Sequence, residues 1–217
     1  MIAQIGGDRF EVVESEDRID LSKRGLSGWI VLHPEELIYI NYLGKRVPFC
    51  GNATRVVGYI NAKGRGLKEY TVYANGPKRV FINGDIVGIE VDVDYENFGE
   101  FSIVKLEGVS HIVFYKKNGE LPVKVLAEGF QKVLEGYHVN YYYNYENYLF
   151  VRTWEYGYIY EPGGCATGGL SCGVDWIMRR GLSGVVIKTL SGDYGRVFIK
   201  GEKFVLENKI FISRMPA

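Results

Sequence analysis

Cys50-Gly51-Asn52-Ala53-Thr54-Arg55 and, further along the chain, Cys165-Ala166-Thr167-Gly168-Gly169 each open a segment that resembles the other. The tripeptide Arg-Gly-Leu recurs at one offset from each cysteine: Arg65-Gly66-Leu67 at 65 − 50 = 15 and Arg180-Gly181-Leu182 at 180 − 165 = 15. Each copy then closes on a similar strand, Arg79-Val80-Phe81-Ile82-Asn83-Gly84-Asp85 in the first and Arg196-Val197-Phe198-Ile199-Lys200-Gly201-Glu202 in the second. Such a repeat reads as a duplicated structural unit. One thiol per copy predicts two mirrored half-sites facing each other across a cleft. Two opposed thiols are what is needed to move a proton from one face of a carbon to the other.

Helical periodicity follows each cysteine. Val56, Val57 and Ile60 share a face and the run stops at Gly64; Leu170, Val174, Ile177 and Met178 do the same and stop at Gly181. A thiol of ordinary pKa, about 8.5, is only a few per cent ionised at neutral pH, and the unpaired N–H groups of a helix start lower that value. The same groups bind anions, so an amino acid's α-carboxylate can bridge two helix starts with its α-carbon between the sulfurs. Charge developing on that carboxylate as the α-proton leaves meets dipoles already in place. One thiolate takes the proton and the opposite thiol delivers another, which inverts the centre without pyridoxal phosphate. Taken alone, a cysteine before a small-residue turn reads as a small buried hydrophobe; two at equivalent points of a repeat read as a pair. Cys172 has no counterpart in the first copy and reads as structural. So does His111, and the Tyr-rich stretch 137–148 reads as a half-exposed hairpin.

The 217 residues suffice for two domains of about a hundred residues, each with its own core. The composition shift from Phe98 to Lys105 places the boundary so that 1–104 carries Cys50 and 105–217 carries Cys165, the last strand being free to pair back with the first half. Most of the chain alternates with a period of two, as in Ile89-Glu90-Val91-Asp92-Val93-Asp94-Tyr95, which predicts one half-buried strand. Asn75-Gly76, Asn83-Gly84 and Asn118-Gly119 mark reversals, and Val125, Leu126, Phe130, Val133 and Leu134 predict a third helix, over 123–134, on the outside of a sheet. Lys plus Arg balance Asp plus Glu at 26 each, so no field gathers nucleic acid or an anionic membrane. Three cysteines without CxxC spacing and three histidines without HExxH spacing argue against a disulfide framework and a metal centre. Without a signal-like start or a membrane-length apolar run, the chain is expected to be soluble and cytoplasmic.

At these residues the chain resembles the diaminopimelate epimerase family of cofactor-independent racemases. That family carries one cysteine in CGNGxR and the other in ACGTG, which stand here as Cys50-Gly51-Asn52-Ala53-Thr54-Arg55 and Gly164-Cys165-Ala166-Thr167-Gly168. Asn41, ahead of Cys50, falls on a substrate-contacting Asn of the family, and Val151-Arg152-Thr153-Trp154-Glu155 resembles the run that places a carboxylate, here Glu155, on the substrate ammonium. Gly108-Val109-Ser110-His111 and His138-Val139-Asn140-Tyr141 look like its G-N-P-H and N-V-N-F elements, adding His138 and Asn140 to the substrate-contacting set. The resemblance implies an α/β (α+β) fold of two pseudo-symmetric domains, each a curled, mainly antiparallel sheet around a central helix. It implies a PLP-independent amino-acid racemase or epimerase, an isomerase without cofactor or metal, of the kind that serves lysine biosynthesis. Cys50 and Cys165 would be the acid/base pair, and Gly51, Asn52, Ala166 and Thr167 would supply carboxylate-binding N–H groups. The departures lie away from the reacting carbon: Asp8, Val109 and His138 stand where the family has Asn, and Tyr156 where it has Arg. The proton-transfer parts thus match while the specificity contacts, Asp8, His138 and Tyr156 among them, are rewritten. The substrate is then diaminopimelate or another amino acid, bound by a monomer or a homodimer. A non-catalytic amino-acid-binding homologue and a proton-shift isomerase of the same fold are the competing readings.

Overall fold

The computed structural model describes residues 1–116, 123–130, 132, 134–158 and 161–213, the side chains of 123–126 aside. The chain divides into two compact units, Met1–Glu90 joined by the last stretch from Glu207 on, and Val91–Leu206. Asn118-Gly119 and Val133 lie outside the described residues.

The first unit contains β1 (Ile2–Ile5), β2 (Asp8–Val13), β3 (Gly28–Val31), β4 (Ile38–Asn41), α1 (Gly51–Gly64), β5 (Glu69–Tyr73), β6 (Pro77–Asn83) and β7 (Ile86–Val91). The second contains β8 (Val93–Asn97), β9 (Phe101–Leu106), β10 (Val109–Tyr115), α2 (Val123–Phe130), β11 (Tyr137–Tyr145), β12 (Tyr148–Trp154), α3 (Ala166–Arg180), β13 (Gly184–Lys188) and β14 (Tyr194–Lys200). The last strand, β15 (Lys203–Ser213), begins in the second unit and ends in the first.

Strand order in the first unit is β4-β3-β2-β1-β15-β7-β6-β5. Its two outer strands meet: the Leu37 N–H donates to the Tyr73 carbonyl and the Tyr73 N–H to the Glu35 carbonyl, both at 2.8 Å. The sheet thereby curls upon itself, with α1 packed on β5, β6 and β1. In the second unit the order is β8-β9-β10-β11-β12-β13-β14-β15, and α3 packs along β9 to β14. The element sequence repeats. Both β2–β3 and β10–β11 are parallel pairs, and in each unit the long helix connects two parallel neighbours, β12 and β13 around α3, and Glu36 and Tyr73, joined by a parallel bridge, around α1.

Packing repeats as well. Gly58 and Gly173 each stand eight residues past their cysteine, 58 − 50 = 8 and 173 − 165 = 8. A Cβ on Gly58 would lie 2.7 Å from the Val80 side chain, and one on Gly173 2.6 Å from Val197. Those valines are equivalent members of the repeated Arg-Val-Phe-Ile strands, so each helix rests directly on its strand at a bare backbone.

The alternation from Ile89 to Tyr95 is broken at Asp92, where the strand changes partner: β7 pairs with β6, β8 with β9. The division between units falls after Glu90, inside that alternation and ahead of the composition shift at 98–105. The Tyr-rich stretch does form a hairpin, Tyr145 facing Tyr148, but Tyr141 and Tyr142 are fully buried rather than half-exposed. Both faces of β11 are covered. Val139 and Tyr141 pack with Ala127 of α2, while the Tyr142 hydroxyl reaches Asp175 of α3. Among the described residues no helix is long and apolar enough to cross a membrane, and no group of three His, Cys, Asp or Glu side chains is placed to hold a metal.

Candidate active site

Each cysteine is the residue just before the long helix of its unit. Cys50 caps α1 with φ −144° and ψ 116°, and Cys165 caps α3 with φ −135° and ψ 116°. Extended backbone at the cap, with the first helical N–H groups unpaired, is what a helix start requires. The residues that follow, Gly51 and Asn52 in one unit and Ala166 and Thr167 in the other, are buried or nearly so.

In the first unit the site is a hydrogen-bonded chain. Asp8 accepts from the Ser27 hydroxyl at 2.8 Å and from the Asn52 amide at 2.7 Å. The Asn52 carbonyl oxygen in turn accepts from Arg55, whose guanidinium also donates to Asn208 Oδ1 at 2.5 Å, the Gly51 carbonyl at 3.2 Å and the Val87 carbonyl at 3.4 Å. Arg55 is fully buried. Burial lowers its pKa to about 9, while Cys50 first and Asp8 second pull it back up, so at neutral pH it is a buried cation. Gly6, with φ +57°, lets the β1–β2 turn approach this chain; a Cβ there would lie 3.0 Å from Asn52 Oδ1. Asn41 is buried, and its side-chain oxygen accepts from the N–H groups of Leu43 at 3.1 Å and Lys45 at 2.9 Å, so it shapes the turn after β4.

In the second unit Cys165 is 8% exposed. Its sulfur accepts from the Gly168 N–H at 3.4 Å and lies 3.3 Å from the Thr167 hydroxyl. Burial, and then the charge of Glu155 beside it, push the thiol well above its ordinary range, against the smaller downward pull of Thr167 and Gly168. Cys165 is therefore held as a thiol. Asn140 lies beneath the same helix start: a Cβ on Gly168 would lie 2.5 Å from Asn140 Oδ1 and 2.3 Å from Thr153 Oγ1. The Thr153 hydroxyl donates to Asn140 Oδ1 at 2.9 Å, and Asn140 Nδ2 donates to the Ile112 carbonyl at 3.1 Å and contacts His111 Nδ1 at 2.9 Å. A carbonyl can only accept, which orients the amide, so His111 accepts at Nδ1 and carries its proton on Nε2. Among the described residues that Nε2 and His138 Nδ1 are buried without a hydrogen-bond partner, and the two imidazoles lie 5.1 Å apart between centroids.

Asp8, Gly51 and Asn52 thus lie at the helix start that Cys50 caps, and Asn140, Glu155, Ala166 and Thr167 at the one that Cys165 caps, while His138 stands one step away, against His111. Tyr156 is 38% exposed and donates to Glu135 at 3.3 Å. Two cavities, about 390 Å³ beside Trp176 and Arg196 and about 490 Å³ beside Lys63 and Lys68, contain none of these residues. Sequence reasoning passed over Arg55 and the free edge of His111.

No protein-family model matches the chain, and no curated protein matches it. Solved structures do. A phenazine biosynthesis protein of the PhzC/PhzF type from Clostridium difficile superimposes with a TM-score of 0.72 at 12% identity, over 100% of this chain and 97% of that one. A predicted epimerase of Pseudomonas aeruginosa gives 0.69 at 12% identity, over 96% and 94%. A PhzF-family phenazine biosynthesis protein of Bacillus anthracis gives 0.65 at 12%, over 96% and 95%. Two of these are described as PhzF-type proteins and one as a predicted epimerase; none is described as diaminopimelate epimerase. At such identity the likeness speaks for architecture: the chain has the sheet-rich α+β, diaminopimelate epimerase-like fold that these proteins share.

Proposed function

We propose that this chain is a cofactor-independent amino-acid racemase or epimerase that inverts an α-carbon with Cys50 and Cys165 as a two-base pair. The observation that carries the reading is the matched placement of the two sulfurs, each capping its unit's long helix in the same extended conformation. The predicted epimerase among the similar structures supports the same class.

The N–H groups of Gly51, Asn52, Ala166 and Thr167 bind the substrate carboxylate, and the helix-start dipoles stabilise the charge it gains. Glu155 and Asp8 supply the negative charge that the substrate ammonium faces. One thiolate takes the α-proton, forming S–H and leaving the electron pair on the carbon and its carboxylate. The other thiol gives its proton to the opposite face and becomes the thiolate, so the pair ends with its charges exchanged.

The test is incubation in heavy water with a panel of amino acids that includes diaminopimelate, followed by chiral separation and mass analysis. One α-deuteron in the inverted product is expected. Replacing either Cys50 or Cys165 by Ser is expected to reduce turnover on the order of 10²- to 10⁴-fold. Absence of α-deuterium in every amino acid would overturn the reading. The PhzF-type likeness favours a second reading, a proton-shift isomerase, in which deuterium enters at a different carbon and only one of the thiols is needed. A binding protein without turnover would keep its ligand affinity in both serine variants.

A further inference from the structure

Arg55 is a fully buried cation whose hydrogen-bond partners are all neutral: the carbonyls of Gly51 and Val87 and the side-chain oxygens of Asn52 and Asn208. Among the described residues no carboxylate lies in ion-pair contact with it. A guanidinium taken out of water without a counter-ion is costly, and any anion within reach of its field is favoured. Its Nε donates at 3.2 Å to the carbonyl of Gly51, the residue after Cys50, so the Cys50 thiol and the Asp8 carboxylate are the groups at this helix start whose negative charge it favours. Both oxygens of Asp8 are already engaged, by Ser27 and Asn52.

The remaining charges on the elements around α1 are turned elsewhere. Glu69 and Glu90 pair with Arg79, and Asp85 with Lys209. Lys78, buried on β6, holds its ammonium 5.5 Å over the ring of Phe49, the residue before Cys50, and adds a second positive charge on that side. Cys165 stands in the opposite surroundings, buried beside the carboxylate of Glu155.

We propose that Arg55 is a positioning residue that holds Cys50 as the thiolate of the pair while Cys165 stays the thiol, so that acceptor and donor are assigned before substrate arrives. This deepens the two-thiol function above and rests on it.

The experiment needs no substrate. The full chain is alkylated with iodoacetamide across a pH series, and the rate at each cysteine is read by peptide mass spectrometry. Cys50 is expected to reach half its limiting rate at least about one pH unit below Cys165, a tenfold difference in thiolate fraction. Arg55→Gln is expected to slow Cys50 about tenfold at pH 7 and leave Cys165 unchanged, and Arg55→Lys, which keeps the charge, to restore most of the rate. Asn208→Asp keeps the shape and the acceptor but gives Arg55 a carboxylate partner. It is expected to fold and to slow Cys50 as Arg55→Gln does, and it decides the matter if the glutamine variant does not fold. Equal midpoints for the two cysteines, an unmoved Cys50 in Asn208→Asp, or failure of lysine to rescue would each overturn the proposal. Missing α-deuterium would leave these profiles intact, and flat profiles would leave the isomerase reading intact, so the two fail separately.

Discussion

Gly173 shows how much a single absent methyl group decides. In an exposed helix interior, glycine to alanine stabilises by about 1 kcal/mol. Here the added Cβ would lie 2.6 Å from Val197, closer than atoms pack, and overpacking costs about 1–3 kcal/mol. Gly173→Ala should therefore lower the midpoint of thermal unfolding, and adding Val197→Ala should recover most of the loss. An alanine that raises the midpoint by itself would show that α3 does not rest on β14 at this point. Residues of this kind are hard to read from sequence, because a glycine in a helical run signals weakness rather than contact. The cysteines were legible because each leads a repeated motif. Arg55 was not, because nothing in a sequence says that a cation one turn into a helix faces inward.

Among elements, α3 is tied to its sheet by one buried carboxylate. Asp175 accepts from the hydroxyls of Tyr95 at 2.9 Å, Ser102 at 2.5 Å and Tyr142 at 2.6 Å, and from Arg179 at 2.9 Å. Strands β8, β9 and β11 are thus bound to the helix that Cys165 begins. Losing the charge while keeping the shape leaves Arg179 without its anion, which in buried pairs costs about 3–5 kcal/mol. Asp175→Asn should lower the denaturant midpoint accordingly; a loss below about 1 kcal/mol would mark the network as replaceable. The helices and most strands follow from periodicity, whereas the division between units does not. Alternation runs from β7 into β8 almost unbroken, and a strand's partner is a long-range fact that a period of two does not encode. Tyr142 was misjudged for a related reason. An alternating Tyr-rich strand looks half-exposed until a helix covers each face, and the second cover, α3, arrives far along the chain.

For the molecule as a whole, two imidazoles removed from water, His111 fully and His138 in large part, set an acid limit. Burial pulls His138 down to about 4 and His111, with His138 beside it, well below the ordinary value of about 6.5. In the unfolded chain both titrate near about 6.5. Between that value and about 4 the unfolded state binds more protons, so stability is complete above the window and is lost as pH falls through it. The share of His138 is at most about 3 kcal/mol, since its ring keeps some contact with solvent. His138→Gln should flatten the dependence of the urea midpoint on pH in this range, and an unchanged slope would assign acid lability to other groups.

The strand shared by both units has a consequence for how the protein is made. Residues Ile210 to Ser213 of β15 are the ladder partners of Ile5 to Ile2 in β1. While the ribosome is still reading the message, the amino-terminal sheet lacks one of its strands, and β1 and β7 offer bare edges of the kind that recruit other chains. A nascent chain halted after Leu206 should protect the amides of β10 to β12 from hydrogen exchange while leaving those of β1 that bond to β15 open. Protection at β1 in that arrested chain would mean that the first sheet closes without its final strand. If the amides stay open, the late-made β15 completes the sheet that β1 started, and the interval between the two is when this fold most needs a chaperone.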